Sequence, residues 1–496
     1  MSITDTTTQG TIDAGALFSG GKTGHAEDVQ RVGANPTDAA AKKDIWNANK
    51  FAARYEGKLI YVFAEKVWYR WNDIIWERCT CDEQVEAAKD YVHFLFAVLL
   101  PKCRKDHDAD RAEKFAKHCA YSSGKTGIDN MLKLARSDSR LAVESMAAFD
   151  KDPWLFQTAN GVINLKTGAM LEPDPKLMIS RCSPVNFVRD AQCPLWEKYL
   201  ADVFPDDPDT ADFMQRFMGY SLSGDVSEEK MLIELGVGSN GKSVRESVHR
   251  HIMGSYARAI PSSVVAAPTK DDDGERATPA IAALCGVRYG SINETQAGDI
   301  LHENAVKRVA GTEAISARQL YGPVFEFQPT AKISVRTNHR PIVKGTDTGI
   351  WRRLALVRYG RVFDEDERDI HLSLKLVGEA EGILVWMVAG FQKWQARGLK
   401  LSPKMAAEVA AYRVESDILG EFLSEYPQAP LLKVEEATLY SSEYKLWCQN
   451  NGHRPMTKNS FTRQLSGRGI GQDREAGVRW YVGIGPKPAP QLRRVV

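Results

Sequence analysis

Met231-Leu-Ile-Glu-Leu-Gly236-Val-Gly238-Ser-Asn240-Gly241-Lys242-Ser243-Val244 carries a short apolar stretch into a glycine-rich turn and out into a helical segment. The turn satisfies GxxxxGK[ST] between a strand and a helix, which is where a phosphate cradle has to sit. Its glycines let backbone N–H groups close around phosphate oxygens, and the following helix points its positive end at the same charge. Lys242 is placed to reach the β- and γ-phosphates, and the Ser243 hydroxyl to ligate Mg²⁺, so the expected ligand is ATP with Mg²⁺. The residues expected to hold it are Gly236, Gly238, Asn240, Gly241, Lys242, Ser243 and Val244. Two further GKT triplets, Gly21-Lys22-Thr23 and Gly124-Lys125-Thr126, have Ala16 and Cys119 where the first glycine should stand; both read as loops.

Polar groups suited to the same chemistry follow downstream. Val287 to Glu294 reads as a strand ending in an acid, and Glu294 could orient an attacking water and help hold the metal. Ile333 to Asn338 is a strand whose tip would set an amide beside the γ-phosphate. Trp351-Arg352-Arg353 offers a guanidinium to the developing phosphoryl charge, a group often supplied by a neighbouring subunit. A hairpin expected over 316–328 carries Arg318 and Tyr321 as candidates for phosphate and base-stacking contacts with DNA.

Strand and helix signals alternate from Met231 to about Gly398, which predicts an α/β sheet flanked by helices. The organisation expected for the whole chain is a disordered arm over 1–43, an α+β domain over 44–145 and a collar or linker region over 146–228. The ATPase core follows over 229–400, then an acidic connector over 401–430, a compact helix–helix–hairpin unit over 431–485 and a basic tail over 486–496. In the first folded unit, 59–63, 67–71 and 74–76 read as a three-strand meander, and a helix over 82–100 is expected to stop at Pro101. The four tryptophans at 46, 68, 71 and 76 read as a small core.

The length of 496 residues suits about three domains at roughly 150 residues each, and 43% hydrophobic with 26% charged residues is ordinary for a globular chain. No apolar run approaches the roughly 18 residues needed for a membrane span, and MSITDTTTQG lacks the features of a secretory signal. Eight cysteines without a CxxC pair argue against a disulfide framework and fit a reducing cytoplasm, such as that of a bacterial host. Cys79, Cys81, Cys103, His107, His118 and Cys119 match no common zinc spacing. The net charge of +1 hides an uneven distribution. Arg454 to Val496 holds nine basic residues against two acids, whereas Met405 to Asn450 holds eight acids against three basic residues. Within the basic module Lys458 and Arg463 lie on a helix face, and Arg474 and Arg479 flank a turn at Glu475-Ala476-Gly477, all four being candidate DNA contacts.

The series GVGSNGKS, SINE, KRVAGTEAISARQLYGPVFEFQPTAKISVRTNHRP and DTGIWRR resembles that of superfamily 3 helicases. It resembles more narrowly the phage and plasmid primase-helicases related to the poxvirus replicative NTPase. FDKDPWLFQTANGVINLKTG and GYSLSG are similar to the companion region that precedes the phosphate loop in that family, so the resemblance covers about 45–485. It implies an AAA+-type hexameric ring with ATP between subunits, a winged-helix-like C-terminal domain and movement along single-stranded or forked DNA. It assigns Lys242 and Ser243 to phosphate and Mg²⁺, Glu294 to the catalytic acid, Asn338 to the sensor and Arg352 or Arg353 to a finger acting on the next subunit. Two positions depart from the family pattern: Asn293 stands where a second acid is usual, and Tyr321-Gly322-Pro323 occupies a hairpin tip where relatives often carry a basic residue.

The expected function is therefore a replicative ATP-dependent DNA helicase of a phage or mobile element, without its own primase domain and working with a separate primase or initiator. The competing readings are a DNA-binding initiator or regulator with a vestigial or regulatory ATPase, and a small-molecule kinase, which would need neither the finger nor the basic C-terminus.

Overall fold

The computed structural model describes residues 43–105, 108–266, 278–293, 300–318, 320, 324–343 and 348–488. The arm before Lys43 lies outside them, as do Glu294, Tyr321, His107, Asp347 and the tail beyond 488. The first described element is the helix Lys43–Tyr55, which begins at the last residue assigned to the arm.

Strands Leu59–Val62, Val67–Trp71 and Trp76–Arg78 form an antiparallel meander, its third strand starting two residues later than expected because residues 73–75 make the bend, and Ala142–Val143 adds a parallel fourth strand. Helices pack Phe51, Tyr55, Tyr91, Phe115 and Met131 against it. Trp46, Trp68 and Trp76 are buried in this unit and Trp71 packs beside them, so the tryptophans build core. The helix expected to stop at Pro101 does not stop there. Glu83–Phe94 widens into a π segment over Leu95–Leu99 and resumes as Leu100–Lys105. Proline lacks an N–H, and directly after the wide turn its missing bond falls where a new helical segment starts, the position proline tolerates best. Gly124-Lys125-Thr126 is also not a loop: it opens the helix Lys125–Ala135, but after a helix rather than a strand.

His118 in this unit is buried, with Nε2 2.9 Å from Asn47 Oδ1 and Nδ1 without a partner. Burial, with Lys43 pushing the same way, lowers its pKa to about 4. The unfolded chain therefore takes up a proton that the folded chain refuses, so stability is lost as pH falls from about 6.5 through 4. The urea midpoint read by tryptophan fluorescence, Trp46 lying 5.2 Å from the His118 ring, should drop across that window. His118→Gln should flatten the drop. A wild-type midpoint unchanged between pH 7 and 4.5 would contradict the neutral buried ring.

Residues 146–228 are not a linker. They form a three-strand antiparallel meander, Leu155–Thr158, Gly161–Asn164 and Ala169–Leu171, followed by helices Pro194–Val203 and Pro208–Ser221. Phe213, Phe217 and Met218 of the second helix share one core with Met387, Phe391 and Trp394 of the helix Ala380–Arg397 and with Leu232, Val248 and Val357 around the phosphate-loop strand. The two long helices cross at glycines. A Cβ on Gly219 would lie 2.2 Å from the Phe391 nitrogen, and one on Gly390 2.1 Å from the Gln215 oxygen. The helix propensity lost at these glycines is offset by backbone approach that no side chain permits.

A five-stranded, all-parallel sheet carries the phosphate loop. Its spatial order is Leu354–Arg358, Met231–Leu235, Lys332–Thr337, Tyr289–Asn293, Ala257–Ala259. Met231–Leu235 is buried at every position, as expected for a strand covered on both faces. Its Glu234 is the polar exception and is fully paired. Its carboxylate accepts from Arg245 Nε at 3.1 Å, Ser334 Oγ at 2.6 Å and Tyr359 Oη at 2.7 Å. Arg245 also reaches Tyr289 Oη at 3.0 Å and His249 Nδ1 at 3.1 Å. Burial, reinforced by Arg245, keeps His249 well below the usual histidine range and therefore neutral. The network ties the strand before the loop to the helix after it.

The acidic segment 401–430 is helical, over Pro403–Glu415 and Ile418–Leu423. Its charge is answered by the sheet. Glu408 pairs with Arg340 and Arg358, Glu415 pairs with Arg340, and Tyr412 is buried against Trp351. The C-terminal unit matches expectation in its helices and closing hairpin, with Phe461 and Leu465 buried. The hairpin strands Gly471–Glu475 and Val478–Ile484 turn through Ala476 and Gly477, both at positive φ, the two-residue geometry that fits strand twist. The strand Gln428–Glu435 completes a three-stranded sheet. Among the described residues no helix is long and apolar enough to cross a membrane, and no group of three or more His, Cys, Asp or Glu is placed to hold a metal ion.

Candidate nucleotide site

Parallel pairing brings the candidate groups to one edge of the sheet. Leu235 lies opposite Thr337, and Arg336 opposite both Glu234 and Asn293, so the phosphate loop, Asn338 and Asn293 all emerge from the carboxyl ends of adjacent strands. Open α/β sheets bind ligands at that edge.

The loop is shaped by its glycines. A Cβ on Gly236 would lie 2.6 Å from the Tyr359 oxygen, and Gly241 sits at φ +88° under Tyr199, whose hydroxyl donates to the Gly241 oxygen at 2.9 Å. Ser239 also takes positive φ. Asn240 is buried and its amide donates to the Val237 carbonyl, bracing the turn from inside. The helix Lys242–Met253 starts directly at the lysine, with Ser243 exposed and Val244 packed toward the core.

Lys242 is 7% exposed, and every partner it has among the described residues is neutral. Its Nζ donates to the Gly236 carbonyl, to the Val237 carbonyl at 3.4 Å and to Asn338 Oδ1 at 3.4 Å. Burial lowers its pKa from the ordinary lysine value; Glu234 opposes this and Arg336 adds to it. A nearly buried ammonium with no carboxylate partner among the described residues stands ready for an anion. A hard divalent cation takes oxygen ligands, and the Ser243 hydroxyl and the Asn293 amide oxygen are suitable donors on this edge. Both are bonded to Arg336, at 3.1 Å for Ser243, and nothing in the sequence beyond a basic residue two positions before Asn338 signals that contact.

The structure thus brings Lys242, Ser243 and Asn338 together. It does not bring Arg352 and Arg353 to them. Leu354 pairs with Met231 and Arg358 with Leu235, so the two arginines lie at the opposite edge of the sheet, about 13–16 Å away along the strand. The pair is also unequal. The Arg352 side chain is 62% exposed and pairs with Glu229. That of Arg353 is 10% exposed, bound to Glu229 at 3.0 Å and donating to the Gly349 carbonyl at 2.8 Å.

The expected hairpin forms between Ile315–Arg318 and Val324–Phe327. Arg318 is half-buried at its end, with its backbone N–H held by Thr278 Oγ1 at 3.0 Å. In the C-terminal unit, Lys458 pairs with the buried Glu436, and Arg479 lies 4.0 Å from the same carboxylate. Arg463 and Arg474 are exposed and make no ion pair among the described residues. The four basic candidates are therefore two that are engaged within the unit and two that are not.

A family model described as "D5 N terminal like" matches residues 48–205. "Putative helicase L207/L206" of Acanthamoeba polyphaga mimivirus is 24% identical over 347 residues, covering 66% of this chain and 35% of the viral protein. "Putative primase C962R" of African swine fever virus (isolate Warthog/Namibia/Wart80/1980) is 25% identical over 299 residues, covering 56% of this chain and 31% of that protein. These matches support a similarity to D5-like primase-helicases, which are related to the superfamily 3 helicases. The chain spans about a third of the length of these curated relatives. Among solved structures, the apo NrS-1 C-terminal region (305–718) is similar at TM-score 0.47 and 11% identity, covering 86% of this chain and 96% of that one. The D5 match begins in the helix Lys43–Tyr55 and ends just past Pro194–Val203, so it includes Tyr199, which supports the phosphate loop.

Proposed function

We propose that the chain is an ATP-dependent DNA helicase acting in replication of a phage or other mobile element. In this reading it is an AAA+-type ring translocase, expected to be hexameric. The observation that carries the proposal is the separation of two half-sites. The carboxyl edge of the sheet offers a loop, a buried ammonium with no carboxylate partner among the described residues and the Asn338 amide, and the opposite edge offers an exposed guanidinium that its own loop cannot use. A finger at one edge and a cradle at the other become one site when a second copy is placed alongside.

Within that site the backbone N–H groups from Gly238 to Ser243 and the Lys242 ammonium would hold the phosphates. Ser243 would hold Mg²⁺, which when bound neutralises charge on the β- and γ-oxygens. Asn338, 3.4 Å from Lys242 Nζ, is positioned to report on the terminal phosphate. Glu294 is the proposed acid that orients water. Arg318 on the hairpin, Tyr321 from the sequence, and Arg463 and Arg474 on the C-terminal unit are the proposed contacts to DNA phosphates and bases. Lys458 and Arg479 contribute only if DNA draws them from Glu436.

Steady-state ATP turnover with and without single-stranded DNA tests the reading. A translocase should be stimulated several-fold by the polynucleotide, and a small-molecule kinase should not respond. Turnover indifferent to DNA would overturn the proposal.

A further inference from the structure

Lys242 is not the only cation at the carboxyl edge without an ion pair among the described residues. Arg336 lies on the strand Lys332–Thr337, two residues before Asn338, so strand alternation sets both on one face. One guanidinium nitrogen donates to Ser243 Oγ at 3.1 Å and another to Asn293 Oδ1. Its Nε is buried without a hydrogen-bond partner among the described residues. Neither acceptor is charged, and no carboxylate of the described residues pairs with it. A cavity of about 470 Å³, lined by Ser243, Glu246, Arg250 and His251, opens directly on it.

Leaving a guanidinium on two neutral acceptors with one buried N–H unsatisfied is costly unless a stronger acceptor arrives, and phosphate oxygens are the acceptors its planar fork fits best. The position is specific. Ser243 begins the helix whose N-terminus faces the phosphates, and Asn293 ends the neighbouring strand where a second acid is usual in the resembling family. An arginine between them adds positive charge where such a site would otherwise present a carboxylate.

Resting on the reading of Gly236 to Ser243 as a phosphate loop, we propose that Arg336 is a second phosphate-binding cation of the same subunit. It bridges Ser243 and Asn293 and would hold the terminal phosphate of a bound nucleoside triphosphate. It thereby makes the loop favour triphosphate over diphosphate. A purely structural Arg336 would fasten strand to helix and treat the two nucleotides alike.

The experiment compares equilibrium binding of fluorescent ADP and of a fluorescent non-hydrolysable ATP analogue, with Mg²⁺, to full-length wild type, Arg336→Gln, Arg336→Lys and Lys242→Ala. Thermal unfolding is recorded for each. The expected result for Arg336→Gln is ADP affinity within about twofold of wild type and triphosphate affinity lowered about tenfold or more. Arg336→Lys, which keeps the charge but cannot bridge two acceptors, should recover much of the triphosphate preference. Equal losses for both nucleotides in Arg336→Gln and Arg336→Lys alike, or no loss in either, would overturn the proposal. If Lys242→Ala loses triphosphate while Arg336→Gln binds as wild type, the loop reading stands and only the role of Arg336 falls. If wild type binds neither nucleotide, both fall.

Discussion

Lys242→Ala protein should fold with an unchanged unfolding temperature and hydrolyse ATP about 10²–10³-fold more slowly than wild type, measured by phosphate release at saturating Mg-ATP. The stability expectation follows from the partners of the ammonium. It makes no ion pair among the described residues, and burial already disfavours its charge, so truncation relieves a cost rather than breaking a bond of value. The activity expectation follows from its position. Removing one preorganised charge-stabilising donor from a water-poor site typically costs about 10²–10³ in turnover, and Lys242 is a full charge beside the developing negative oxygens. A variant that hydrolyses ATP within a few-fold of wild type would remove the phosphate-loop assignment.

The second large effect separates two adjacent arginines. Arg352→Ala should bind ATP normally and lose about 10³-fold or more in turnover, the scale on which arginine fingers act. Arg353→Ala should instead lose stability, roughly 1–3 kcal/mol by chemical denaturation. It leaves Glu229 and the Gly349 carbonyl short of a donor in a largely buried setting. Because Arg352 stands at the sheet edge opposite Lys242, the loss must be repairable between chains. Mixing Arg352→Ala with Lys242→Ala should restore part of the turnover, since a seam with an intact loop from one chain and an intact finger from the other can form. Absence of rescue, with both variants still assembling, would rule out a shared site.

The resemblance to the family was legible in the sequence, and so was the core of the candidate site. The loop residues and Asn338 announce themselves through local patterns: a strand running into GxxxxGKS and a strand ending in a polar tip. The C-terminal unit was legible for a similar reason, with helical stripes at Tyr440, Tyr444, Phe461 and Leu465 and a turn at Ala476-Gly477 that local chemistry dictates. What stayed hidden depended on distant partners. Nothing local marks Gly219 as a packing position; Gly390, far along the chain, crosses it at backbone distance. Glu408 and Glu415 read as an acidic connector because net charge is counted along the chain, whereas Arg340 and Arg358 answer it across space. Pro101 breaks an α-helix but is tolerated after a π turn, and the π turn leaves no mark on apolar periodicity. Arg336 was missed because an arginine in a strand normally signals a solvated face. Only the register that sets it opposite Asn293 shows otherwise.

The most direct measurement is strand displacement on a forked duplex by the full chain, with the particle sized by light scattering in the same buffer. The account predicts separated strands only when Mg-ATP is present, produced by a multi-chain particle and lost with Lys242→Ala. A lone chain that leaves the fork intact and consumes no ATP, with nucleotide and DNA both supplied, would contradict it.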